Sequence, residues 1–116
     1  MNIKQVKVTE VGPRDGFQSE KTILNTEDKI DIINNLIDAG FPRIEVSSFV
    51  SPKAIPQLAD AATILEKVKR NHETTLAALV PNAKGALRAV DANLDEIVVF
   101  LSASETLLPW SFKFFS

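Results

Sequence analysis

The chain contains no cysteine, which rules out a disulfide framework, a thiolate metal site and a cysteine nucleophile. Histidine occurs once, at His72 in Arg70-Asn-His-Glu73. That position lies between a helix end and a strand start, and it reads as a solvated loop. No apolar run is long enough to span a bilayer. Residues 1–7 alternate polar and apolar, unlike the apolar stretch of a signal peptide, so a cytoplasmic protein is expected. There is no run of Lys and Arg, and the net charge is −2, so no nucleic-acid surface is expected. The chain also lacks G-x-G-x-x-G and G-x-x-x-x-G-K-[ST], which removes support for dinucleotide and P-loop chemistry.

What remains is an ordinary globular composition, 45% hydrophobic and 24% charged over 116 residues, enough for one small domain with a core. Residues 4–11 alternate and are rich in β-branched types, as a strand does. The chain then enters Gly12-Pro-Arg-Asp-Gly16. Pro13 has no N–H to donate, so the strand must stop there, and the two glycines supply backbone freedom. Arg14 and Asp15 are thereby presented side by side at a strand end. Taken alone, the pair reads as a surface ion pair in a turn.

A helix follows, with Asn25 or Thr26 as cap and a stripe of Ile30, Ile33 and Ile37, closed by Gly40. Residues 43–49 form a second strand. A loop with two prolines leads to a second helix from Gln57, striped by Leu58, Ala61, Ala62, Leu65 and Val68. Residues 74–80 form a third strand. Asn82 caps a third helix striped by Ala83, Ala86, Leu87 and Val90. Residues 96–101, apolar on both parities, read as a fourth strand covered on both faces.

The order is βαβαβαβ, which implies parallel strands joined by right-handed crossovers. A doubly wound sheet and a (β/α)₈ barrel both satisfy it. The polar residues cluster at carboxyl ends of strands: Arg14 and Asp15, then Glu45, Ser47 and Ser48, then Asn82, then Ser102, Ser104 and Glu105. In parallel α/β folds those ends converge on one face, where sites are built. Ile44 and Val46 share one parity, Glu45 and Ser47 the other. If the isoleucine and valine pack on helices, Glu45 points to the opposite face, and its carboxylate needs a partner there. Arg14, one strand over, is the expected partner.

The runs Glu10-Val-Gly-Pro-Arg-Asp-Gly-Phe-Gln18, Glu45-Val-Ser-Ser-Phe-Val-Ser-Pro-Lys53 and Val80-Pro-Asn-Ala-Lys-Gly85 resemble the N-terminal part of the 3-hydroxy-3-methylglutaryl-CoA lyases, within the DRE-TIM metallolyase superfamily. The resemblance runs from about Lys4 to Glu105. It implies the N-terminal half of a (β/α)₈ TIM barrel over residues 1–106. It implies a metal-dependent carbon–carbon lyase that cleaves the acyl-CoA to acetyl-CoA and acetoacetate, in leucine degradation. By the same resemblance, Asp15 is a ligand of a divalent cation, Mg²⁺ or Mn²⁺. Arg14 holds the acyl carbonyl and stabilises the enolate, Glu45 orients Arg14, and Gln18 and Ser48 lie near the substrate. The alternatives are a condensing synthase of the isopropylmalate or homocitrate type, or a non-catalytic α/β fragment.

The chain also departs from that pattern. The family's His-x-His pair, its asparagine ligand and its Gly-Gly-Cys loop have no match here, and a full barrel takes roughly 250 residues. Residues 107–116, Leu-Leu-Pro-Trp-Ser-Phe-Lys-Phe-Phe-Ser, are abruptly apolar and read as an aberrant tail, from a truncation or frameshift. Half a barrel leaves the first and fourth strands with open edges, so self-association and loss of activity are expected. No membrane partner is expected.

Overall fold

The computed structural model describes residues 5–106. The expectations for residues 1–4 and for the apolar tail at 107–116 lie outside the described residues. Four strands form one sheet in the order β1-β2-β3-β4, every neighbouring pair parallel: β1 Thr9–Glu10, β2 Arg43–Ser48, β3 Thr75–Leu79 and β4 Glu96–Val98. The helices between them are α1 Phe17–Ser19, α2 Thr26–Asp38, α3 Ala61–Lys67 and α4 Ala83–Asp91.

The strand order separates the two architectures that alternation left open. A doubly wound sheet reverses its strand order at a switch point. Here each strand is added to the same side of the last, so right-handed crossovers put α2, α3 and α4 on one face. This is the winding of consecutive barrel strands, and it leaves the other face free for a site.

The core lies between sheet and helices. Ile44, Val46, Leu76 and Ala78 from the strands meet Ile30, Ile33 and Ile37 of α2 and Ala61, Ile64 and Leu65 of α3, all buried. Each such isoleucine or leucine contributes about 1.5–3 kcal/mol through burial. The cap of α2 is Asn25, whose Oδ1 accepts from the Asp28 N–H at 2.8 Å. Gly40 stands just past that helix at φ +90°, a conformation for which glycine is the inexpensive residue.

Several expectations are corrected. The first strand pairs over two residues only. Val6 and Val8 stay exposed because an edge strand with one neighbour has nothing packed on its outer side there. The second helix begins at Ala61 after a 3₁₀ turn at Pro56–Leu58, and Ile64 takes the core position while Ala62 is exposed. In α4 the buried face is Gly85 and Ala89, whereas Leu87 and Val90 of the predicted stripe point outward. The fourth strand is not covered on both faces: Ile97, Val99 and Leu101 are exposed at the sheet's edge.

A buried ion pair, unannounced by any apolar pattern, joins α2 to the segment before α3. Lys29 is 2% exposed. Its Nζ donates to the Gln57 carbonyl at 2.5 Å and to both Asp60 oxygens at 3.0 and 3.2 Å. The Thr26 hydroxyl donates to Asp60 Oδ2 at 2.7 Å.

Candidate active site

The site lies at the carboxyl ends of the strands, on the face that the helices leave free. The chain leaves β1 at Val11 and coils at once into a wide helical turn over Gly12–Gly16, which runs into α1. Pro13 is buried in this turn, and the N–H groups of Arg14 and Asp15 both donate to the Val11 carbonyl, at 3.1 and 2.7 Å. Neither glycine of the turn takes a positive φ, contrary to the freedom expected of them. Gly12 instead admits a close approach: its N–H donates to Glu10 Oε1 at 2.9 Å, and a Cβ there would stand 2.8 Å from that oxygen.

This turn aims Arg14 across the strand ends. Its Nε donates to Glu45 Oε1 at 2.7 Å, and its Nη1 donates to Asp15 Oδ1 at 3.3 Å. Glu45 is 5% exposed, so the guanidinium compensates a carboxylate withdrawn from water. The expected partnership of Arg14 and Glu45 is therefore present, and Glu45 faces away from the helices.

Arg14, Gln18, Glu45 and Ser48 line one cleft of about 400 Å³, closed by the apolar side chains of Leu79 and Phe100. Ser48 shares that cleft with Glu45 although three residues separate them, an odd interval in a two-residue repeat. A register shift between Glu45 and Ser47 accounts for it. Glu45 pairs with Ala77 and Ser47 with Ala78, so Val46 is an extra residue and the alternation resets. Ser47, placed with Glu45 by parity, does not line the cleft. The Ser48 hydroxyl is buried with no hydrogen-bond partner among the described residues, and it borders the cleft.

Other sequence candidates fall outside this constellation. Asn82 is a helix cap, its Oδ1 accepting from the Gly85 N–H at 2.8 Å. Ser102 and Ser104 accept from backbone N–H groups two residues ahead, as turn residues do. His72 is exposed in the turn before β3, at the amino ends of the strands, as expected. The apolar walls of the cleft were not singled out in the sequence. The i, i+2 spacing of Val98, the last residue of β4, and Phe100 just past it is the signal that marks them.

Asp15 lies beside the cleft with its side chain 63% exposed, one oxygen facing the Arg14 guanidinium. Among the described residues no three His, Cys, Asp or Glu side chains gather in a group that could hold a metal ion. Asp15 alone does not make a cation site, since a hard divalent ion takes about six oxygen ligands. No helix among the described residues is long and apolar enough to cross a membrane.

Comparisons with known proteins bear on the family and the fold. The model of the HMGL-like family matches residues 5–114. The chain is 48% identical over 103 residues to the mitochondrial hydroxymethylglutaryl-CoA lyase of Arabidopsis thaliana, covering 89% of this chain and 22% of the relative. It is 48% identical over 103 residues to the hydroxymethylglutaryl-CoA lyase YngG of Bacillus subtilis, covering 89% of this chain and 34% of the relative. The structure of an HMG-CoA lyase from Acinetobacter baumannii in complex with coenzyme A and 3-methylmalate superposes with a TM-score of 0.85 at 46% identity, over 91% of this chain and 37% of that one. The chain thus spans about a third or less of the curated relatives' length.

Proposed function

The chain belongs to the HMGL-like family, and on that premise we propose that it carries the arginine half of a carbon–carbon lyase site for 3-hydroxy-3-methylglutaryl-CoA. The observation behind this reading is the 2.7 Å bond from Arg14 to the buried Glu45 at the mouth of an apolar cleft, with Asp15 adjacent.

The reaction is a retro-Claisen cleavage. A base takes the proton of the substrate's tertiary hydroxyl, the carbon–carbon bond breaks, and its electron pair enters the thioester carbonyl as an enolate. Acetoacetate leaves, and protonation of the enolate gives acetyl-CoA. Arg14 suits the enolate oxygen because a guanidinium keeps its charge at every working pH. Glu45 binds Nε, which fixes the plane of the group and leaves the Nη atoms to face the cleft and Asp15. Such a preset charge needs no reorganisation as the oxyanion forms. Ser48 offers an unpartnered buried hydroxyl to the substrate, and Gln18 a side-chain amide. The apolar walls exclude water from the acyl group.

The family reading includes a divalent cation, Mg²⁺ or Mn²⁺, with Asp15 as one oxygen ligand. When bound, that ion supplies Lewis-acid polarisation of the substrate's hydroxyl and carboxylate oxygens. Asp15 needs further ligands from outside the described residues, so cleavage by this chain alone is not expected. A small acyl-CoA substrate, a cytoplasmic location and a place in leucine degradation belong to the same reading. Among the described residues β1 and β4 have no partner on their outer edges, which supports self-association.

The test is a chimera in which Gln5–Thr106 replaces the matching segment of the Bacillus subtilis lyase. Acetoacetate release from 3-hydroxy-3-methylglutaryl-CoA is the expected result, and Arg14→Gln in the chimera should lower kcat by about 10²–10³, the usual loss on removing one oxyanion donor. A folded chimera that condenses acetyl-CoA with a 2-oxo acid, or that cleaves equally well without Arg14, would overturn the reading.

A further inference from the structure

Lys29 is a buried charge that the reaction as described does not use. It does not line the cleft, and its Nζ is held by the Gln57 carbonyl and by both Asp60 oxygens. A buried ion pair is a poor source of net stability, because an apolar pair of similar volume commonly does as well or better. What such a group supplies is geometry: an ammonium with several donors fixes its acceptors relative to the helix that carries it. The acceptors here stand at the far end of the loop that leaves β2.

That loop forms one wall of the cleft. Residues 51–54 are exposed, while Val50 and Ile55 line the cleft. The Ile55 carbonyl accepts from the Leu58 N–H at 3.1 Å, so Ile55 opens the 3₁₀ turn Pro56–Leu58. Gln57 lies in that turn, and its carbonyl is the one that Lys29 binds. Its side chain reaches the other way: Nε2 donates to the Glu20 carbonyl at 3.3 Å, at the residue that ends α1. α1 carries Gln18, which lines the same cleft. Gln57 therefore joins two walls of the cleft, and Lys29 fixes its backbone from α2.

We propose that Lys29 is a positioning residue of the site: acting through Gln57, it sets the wall at Ile55 and the end of α1 behind Gln18, without touching substrate. That these walls hold an acyl-CoA rests on the lyase reading; that Lys29 places them does not. Arg14 and Glu45 are fixed by each other at the strand ends. The effect of losing Lys29 therefore falls on substrate binding and not on the charge that meets the enolate.

The test uses Lys29→Met combined with Asp60→Ala, which removes both charges and strands neither. In the 116-residue chain, amide hydrogen exchange read by mass spectrometry should quicken about tenfold at residues 55–59 and 18–20 and stay unchanged in β3. Gln57→Leu cuts only the side-chain bond to Glu20, so it should loosen 18–20 and leave 55–59 protected. In the chimera with the Bacillus subtilis lyase, the double variant should raise KM for 3-hydroxy-3-methylglutaryl-CoA about tenfold and hold kcat within about twofold, the mark of lost ground-state binding. Gln57→Leu should raise KM less, about threefold. A merely structural role predicts otherwise: exchange that quickens in β3 as much as in the two walls, or an unchanged KM in an active double variant, and either result overturns the proposal. Should the double variant fail to fold, Gln57→Leu decides, and unchanged exchange at 18–20 overturns the proposal. A parent chimera that folds without activity counts against the lyase reading, whereas the exchange pattern still judges whether Lys29 places the walls.

Discussion

Arg14 and Glu45, 31 residues apart in sequence, meet at 2.7 Å because parallel pairing of β1 with β2 aligns their carboxyl ends. The two side chains are unequal in environment: Glu45 is almost wholly buried and Arg14 keeps a fifth of its side chain exposed. Losing one partner of a buried pair costs more than the pair itself contributes, and the cost falls on whichever charge stays behind. Arg14→Met should therefore destabilise the chain by about 3 kcal/mol, because it strands the buried carboxylate. Glu45→Gln should cost less, since Arg14 can turn toward Asp15 and water. Urea unfolding of both variants checks the order, and equal losses would contradict the burial argument.

That partnership was legible in the sequence because it depends on parity and strand order alone. The isoleucine and valine at 44 and 46 fixed the helix side, so Glu45 had to face the other way. Ser48 was not legible by the same rule. The extra residue at Val46 resets the alternation, and nothing in Glu45-Val-Ser-Ser marks a bulge. The α4 stripe failed for a related reason. A helix shows which flank is apolar, but only packing shows which flank is covered, and here Gly85 wins the sheet contact because the Phe49 carbonyl comes so close. Lys29 escaped notice because a lysine in a helix is ordinarily solvated, and its acceptors lie 28 and 31 residues away.

The Lys29 cluster predicts a specific non-additivity. Asp60→Ala leaves an ammonium that is 2% exposed with the Gln57 carbonyl as its acceptor, and should cost about 3–4 kcal/mol. Adding Lys29→Met removes the stranded charge and fills similar volume, so the double variant should recover most of that loss. A double-mutant cycle by thermal unfolding measures the coupling. Simple addition of the two single effects would show that the pair acts independently.

Acid sensitivity should trace in part to Glu96. Arg43 Nε donates to its Oε1 at 2.9 Å, and Arg43 Nη1 reaches Thr9 Oγ1 at 3.2 Å, so one guanidinium ties β1, β2 and β4 together. The hydrogen bond from Arg43, aided by that residue's charge, holds the Glu96 carboxyl below its usual range. A depressed folded-state pKa means that the unfolded chain takes up the proton first as pH falls. The stabilisation is fully present above the ordinary carboxylate pKa and is lost as pH drops through the depressed one. Glu96→Gln should flatten the stability profile across that window and leave it unchanged in slope at neutral pH. Denaturant melts at several pH values compare the two slopes, and parallel profiles would remove Glu96 from the account.

Gly85 separates intrinsic propensity from packing. Inside a helix, Gly→Ala ordinarily stabilises by about 1 kcal/mol, because alanine has less backbone freedom to lose. Gly85 sits in the first turn of α4 on its buried face, where a Cβ would stand 2.7 Å from the Phe49 carbonyl and 3.3 Å from Asn82 Oδ1. The first contact is with backbone, which cannot swing aside. The second is with the oxygen that caps this helix through the Gly85 N–H. Gly85→Ala should therefore push α4 off β2 and weaken its cap, with a net loss of about 1–3 kcal/mol, the range for overpacking. Asn82→Ala removes the cap alone and should cost about 1 kcal/mol. Combining the two should give less than their sum, since a cap already disturbed by the added methyl group has less to lose. Urea unfolding of the three variants tests both sign and coupling, and a stabilised Gly85→Ala chain would show that propensity outweighs the contact with Phe49.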